Sequence, residues 1–182
     1  MADFETSASY LAALGKALKT LGVFDAVMKR VSPASAEMLR SPHTQRWWPS
    51  GPVLSMTDAI MAEGGATLIH QIGRQAVFES MSFIIRPLVT AAITFSGPSP
   101  HTLFGSLPKL LQTAVRNVQV TYARASERSG VVTITYPLEV PPGYAAYWQG
   151  ALDYVFEVTR TRAEETRAEH LGSELRFTVS WH

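Results

Sequence analysis

The sequence predicts an α+β fold: N-terminal helices, then a β-β-α-β-β unit with a four-stranded antiparallel sheet. Three observations carry this. Up to Val115 the apolar residues recur at spacings of three and four. From Asn117 the period becomes two, with Val118, Val120 and Tyr122 alternating with Gln119, Thr121 and Ala123. One more helical stretch, 144–159, then separates two hairpins.

The first helix spans 7–30. Leu11, Leu14, Leu18, Leu21, Phe24 and Val27 form its apolar stripe, and Gly22 is a candidate kink. Ser32 caps a short helix to Leu39, with Pro33 at its first position. The stretch SPHTQRWWPSGP holds three prolines, a glycine and two tryptophans, which is loop or connector composition. Ser55 opens the next helix, with Asp58 three residues on, and Gly64-Gly65 stops it. Residues 66–95 are helical and break at Pro87. Residues 101–113 form a further helix, broken or delayed by Pro108. The strand pair around ERSG is the first hairpin, and Leu171-Gly172-Ser173 turns the second. The organisation is an N-terminal helical arm over 1–50 and an α+β ligand-binding-like domain over 51–182.

Composition excludes several function classes. The chain has 182 residues, 46% hydrophobic and 17% charged, and is too apolar for disorder. Sixteen basic residues face fifteen acidic ones, with no basic half, so nucleic acid is not the partner. Without cysteine there is no disulfide scaffold, Cys-held metal or Cys nucleophile. The N-terminus carries Asp3 and Glu5, unlike a signal peptide. The most apolar stretch, 83–95, is too short for a span and contains Arg86 and Pro87. The expectation is a cytoplasmic protein without a membrane span. The five histidines never form H-x-x-x-H, and no G-x-S-x-G, Walker loop or G-x-G-x-x-G occurs. The reading is therefore non-enzymatic, with no catalytic or metal-binding residue assigned.

The segment LFGSLPKLLQTAVRN, followed by a hairpin, a helix with Trp148-Gln149-Gly150 and the strand FTVSW, resembles a myxobacterial paralogous family of about 180-residue proteins. The resemblance covers about 52–181. It implies an architecture and no catalytic residue. More distantly, the order of elements resembles a fold shared by haem nitric-oxide sensors, vinyl-reductase-type domains and Golgi-tether subunits. That likeness implies helices and a small sheet around an apolar ligand pocket. In the haem sensors a histidine near the position of His101 ligates iron, and Tyr-x-Ser-x-Arg holds the propionates. Here Tyr122, Ser126 and Arg128 are present, but the Tyr-to-Ser spacing is four, not two. The expected cofactor is none, with haem on His101 as the alternative.

Only six charged residues lie between Gly51 and Val115, so this helical region must be covered by the sheet, a ligand or a second copy. Thr67, His70 and Arg74 share a helix face and have the chemistry to grip a carboxylate or phosphate; a solvated polar stripe has the same pattern. Glu79 and Arg86, seven apart, share another face, either as surface charges or as a clasp against the sheet. Trp47, Trp48, Tyr144, Tyr147, Trp148, Tyr154 and Phe156 offer large apolar area with polar edges, which suits either a pocket or a core. The candidate ligand-binding residues are His70, Arg74, Trp47, Trp48, His101, Arg116 and Tyr147. The leading reading is a dimeric module that binds or senses an apolar, lipid-like small molecule. The alternatives are an interaction scaffold without a ligand, and an enzyme on apolar metabolites using His70 or His101 as acid or base.

Overall fold

The computed structural model describes residues 3–80, 90, 94, 97 and 99–182. Strand β1 (Glu5–Ser7) leads into α1 (Ala8–Thr20), whose N-terminus is capped by the Ser7 hydroxyl accepting from the Tyr10 amide at 3.3 Å. The stripe expected over 7–30 belongs to two helices. Gly22 adopts φ +72° and ends α1, and the chain restarts as α2 (Phe24–Met28). Ser32 caps α3 (Pro33–Arg40) as expected, accepting from the Ser35 amide at 3.2 Å.

The Pro- and Trp-rich stretch is not all loop. Trp47–Pro49 forms β2, which pairs antiparallel with β1 through Thr6 and Trp48. Val115–Arg116, β3, pairs with the other edge of β1. This small three-stranded sheet had no alternation to announce it, because its strands are two or three residues long. It joins the N-terminal segment to the segment before the first hairpin.

Helix α4 (Ser50–Ser80) starts five residues before the expected Ser55. Its helical backbone is interrupted at Gly64 and Gly65, the latter at φ +63°, where the Gly pair predicts a stop. The expected break at Pro87, and the Glu79–Arg86 pairing, lie outside the described residues. Helix α5 (Pro100–Leu111) is capped by Ser99 and continues through Pro108, which falls in its last turns and so removes a single internal bond.

The β-β-α-β-β unit is as read: β4 (Gln119–Ser126), β5 (Ser129–Thr135), α6 (Gly143–Thr159), β6 (Ala163–Leu171) and β7 (Glu174–Trp181). The sheet is antiparallel throughout, in the order β4-β5-β7-β6. Val132 and Ile134 of β5, with Leu175, Phe177 and Val179 of β7, are fully buried on its inner face. That alternation is the period of two turned into burial. One apolar core runs from Phe4 and α1 through α4 to α6 and β7. Among the described residues, no helix is long and apolar enough to cross a membrane.

Candidate functional site

Helices α4 and α6 cross with their backbones in contact. A methyl group on Gly150 would stand 2.8 Å from the His70 carbonyl carbon and 3.1 Å from the Arg74 nitrogen. One on Gly73 would stand 2.9 Å from the Tyr147 carbonyl carbon. Both positions therefore require glycine. This explains the Trp-x-Gly pattern: Trp148 is buried and donates to the Tyr136 hydroxyl at 2.7 Å, while Gly150 seats the helix on α4.

Beside this crossing the helices α1, α4, α5 and α6 line a cavity of about 130 Å³. Leu11, Leu14, Ile60, Ile72, Leu103, Leu107 and Leu152 supply apolar walls, and no Lys, Arg, His, Asp or Glu lines it among the described residues. Its polar atoms are hydroxyls. Those of Tyr10 and Tyr147 are hydrogen-bonded to each other. Thr57 donates to the Val53 carbonyl at 3.1 Å. Tyr136 accepts the Trp148 indole N–H. The buried Tyr144 hydroxyl has no hydrogen-bond partner among the described residues. Burial pushes the Tyr10 phenol up to about 12, and it also raises Tyr136, Tyr144 and Tyr147 above the ordinary phenol value. All four are neutral phenols at neutral pH.

Of the seven residues named from sequence, Tyr147 lines the cavity. His70 and Arg74 do share a face of α4, and the carboxylates they meet are the protein's own. His70 Nε2 lies 2.8 Å from Asp153 Oδ2, and Arg74 makes a two-pronged bond to Glu157, with Nη2 at 2.8 Å from Oε2. Glu157 in turn pushes the Arg74 guanidinium further up. Trp47 and Arg116 meet on the small sheet, the guanidinium carbon 3.9 Å from the indole centroid, with Glu5 3.8 Å from Arg116. Trp48 is buried and donates to the Pro42 carbonyl at 2.7 Å. His101 turns toward the sheet: Nδ1 meets the Tyr122 hydroxyl, Nε2 lies 2.9 Å from the Glu127 carbonyl oxygen, and the ring sits edge-on to Trp181 at 4.7 Å. The seven therefore fall into four groups rather than one site: Tyr147 at the cavity, His70 with Arg74, Trp47 and Trp48 with Arg116 on the small sheet, and His101 against the larger one. Sequence reading missed Tyr10, Thr57 and Tyr136. Tyr10 was detectable, since it sits at i−4 from Leu14 on the edge of the α1 stripe.

No family's sequence profile matches the chain, and no curated protein does. Solved structures do. An H-NOX protein from K. algicida, in a mutant, unliganded Fe(II) form, superposes with a TM-score of 0.68 at 13% identity, over 97% of this chain and 96% of that one. The chain shares the H-NOX fold. An oxygen-binding H-NOX domain related to soluble guanylate cyclases gives 0.61 at 12%, over 93% and 91%. A structure from work on haem distortion in the H-NOX family gives 0.65 at 12%, over 96% and 93%. The expected likeness to haem sensors is thereby shown at the level of fold. The expectation of no cofactor is corrected: the solved structures that share this fold include an Fe(II) form and one from work on haem distortion.

The described residues of this chain do not by themselves assemble a haem site. Leu103 and Leu107 of α5 face the cavity, while His101 faces the sheet with both ring nitrogens engaged. A volume of about 130 Å³ is below the ~300 Å³ at which drug-sized pockets begin, and a macrocycle is larger. Tyr122 and Ser126 also lie off the cavity. Tyr122 is bonded to His101, and Ser126 Oγ to Ser129 at 2.7 Å and to the Arg128 amide at 3.1 Å.

Proposed function

We propose that this chain is a non-enzymatic small-molecule sensing module, which encloses one small apolar ligand among α1, α4, α5 and α6. The observation that carries this is the apolar cavity, walled by both the N-terminal helices and the α5–α6 part of the chain. A ligand there touches every helix that meets at the cavity, so filling it biases how α4 and α6 are held together. In this reading the protein is a homodimer. Phe78, half exposed on α4 and edge-on to Tyr154 of α6 at 6.1 Å, supports a face for a second copy there.

The test uses xenon and haemin on the full chain. Saturable ¹²⁹Xe shifts, lost in the cavity-filling variant Leu107→Phe, are the expected result. Xenon that never saturates would sink the reading. Haemin titration with native mass spectrometry covers the fold's own cofactor: a stoichiometric haem adduct with a sharp Soret band would replace the small-molecule reading by haem. Sedimentation at low micromolar concentration checks the dimer, and a monomer removes it.

A further inference from the structure

Within the described cavity lining, the Tyr144 hydroxyl is the one fully buried side-chain polar atom without a hydrogen-bond partner among the described residues. Its residue is 7% exposed, so bulk water does not reach it. Its neighbours' hydroxyls are engaged elsewhere: Tyr10 with Tyr147, Tyr136 with the Trp148 indole, and Thr57, which lies close enough to lower the Tyr144 phenol somewhat, gives its own proton to the Val53 carbonyl. Folded proteins leave few such groups unpaired, because a buried donor without an acceptor forfeits its hydration for nothing. Nor can the ring swing to another partner. It is held edge-on between Phe4, at 6.4 Å, and Tyr136, at 5.5 Å.

We propose that the ligand is a small, uncharged organic molecule of about one ring, carrying one hydrogen-bonding oxygen, and that Tyr144 is its polar anchor. This rests on the cavity being a ligand site, as proposed above. Size follows from the volume: about 130 Å³ is close to the ~150 Å³ engineered cavity that accepts benzene or xenon. Charge follows from the lining. No described lining residue is ionised, so a carboxylate or ammonium would lose its hydration and meet no countercharge. The oxygen follows from Tyr144. Phenols and short-chain alcohols or ketones fit; fatty acids and phosphate esters do not.

Phenol and toluene have nearly the same shape and differ by one hydroxyl, so they serve as probes. Their affinities are measured by NMR titration on the wild type and on Tyr144→Phe. The expected result is that Tyr144→Phe lowers phenol affinity about tenfold and leaves toluene within about twofold. If the variant weakens neither probe, or both equally, the anchor is refuted while toluene binding leaves the cavity reading standing. If neither probe binds the wild type, both proposals fall together. Should Tyr144→Phe not fold, intermolecular NOEs in the wild type decide. Contacts from phenol to the Tyr144 ring support the anchor, and contacts confined to other walls overturn it.

Discussion

Gly150→Ala adds one methyl group where helices α4 and α6 touch. The new Cβ would stand 2.8 Å from the His70 carbonyl carbon and 3.1 Å from the Arg74 nitrogen, and it meets the His70 carbonyl oxygen more closely still. These are backbone atoms on the opposing helix, so no flexible side chain can swing aside. Restoring ordinary contact at about 3.5 Å requires the helices to part by roughly 1 Å. That loosens the packing of Ile69, Ile72, Ala151 and Leu152, all buried around the crossing. Overpacking of this kind costs about 1–3 kcal/mol, and more where backbone must move. The better helix propensity of Ala returns at most about 1 kcal/mol. The net expectation is a loss of about 2 kcal/mol, which for a chain of this size lowers Tm by about 4–8 °C. Urea unfolding followed by circular dichroism measures it. Gly73→Ala, facing the Tyr147 carbonyl, should cost a similar amount. The double variant should cost less than the sum, because helices already parted for one methyl have room for the second. A Gly150→Ala protein within about 0.5 kcal/mol of wild type would refute backbone contact as what holds the crossing.

Three further outcomes follow from the same structure. Arg74→Met should cost no more than about 0.5 kcal/mol in urea unfolding, because the Arg74–Glu157 pair is about half exposed and well screened. In ligand-free protein, Tyr144→Phe should raise Tm by about 2–4 °C, since it deletes a buried hydroxyl with no partner; a fall would mean that the hydroxyl is satisfied. Glu79 is buried, 2.9 Å from the Lys16 ammonium, and also accepts from Gln75 and Thr20. The Lys16 contact, with those two bonds, holds its carboxyl below the usual value against the opposing effect of burial. A lowered folded-state pKa stabilises the protein above the unfolded value of about 4.3, and this is lost as pH falls through the folded one. Between pH 5 and 3, Glu79→Gln should therefore lose stability less steeply than wild type, as urea midpoints across that range would read out.

The legible parts were the long ones. Apolar spacing over many residues in α1, α5 and α6 and strict alternation in β5 and β7 are periodic signals, and a side chain's face follows directly from its position in such a run. The α4 interruption at Gly64-Gly65 and the cap at Ser32 were legible too, because glycine and cap chemistry act locally. The three-stranded sheet was not, since its partners Glu5, Pro49 and Arg116 are far apart in the chain and each strand is too short to show a period. His70 and Arg74 could be placed on one face, but their partners Asp153 and Glu157 sit 83 residues away.

Alone, then, the sequence determined the α+β order of elements, the four-stranded antiparallel sheet and a charge-poor helical region that had to be covered. These are properties of stretches, set by local backbone preference and by which side chains water rejects. Whether that region closes on itself or leaves a space was decided only by the tertiary structure. Gly73 and Gly150 bring two backbones together at one point, and the bulk of the surrounding side chains props the neighbouring helices apart. A filled core and a lined cavity are written in the same apolar residues. The difference is the distance between helices, which periodicity does not encode.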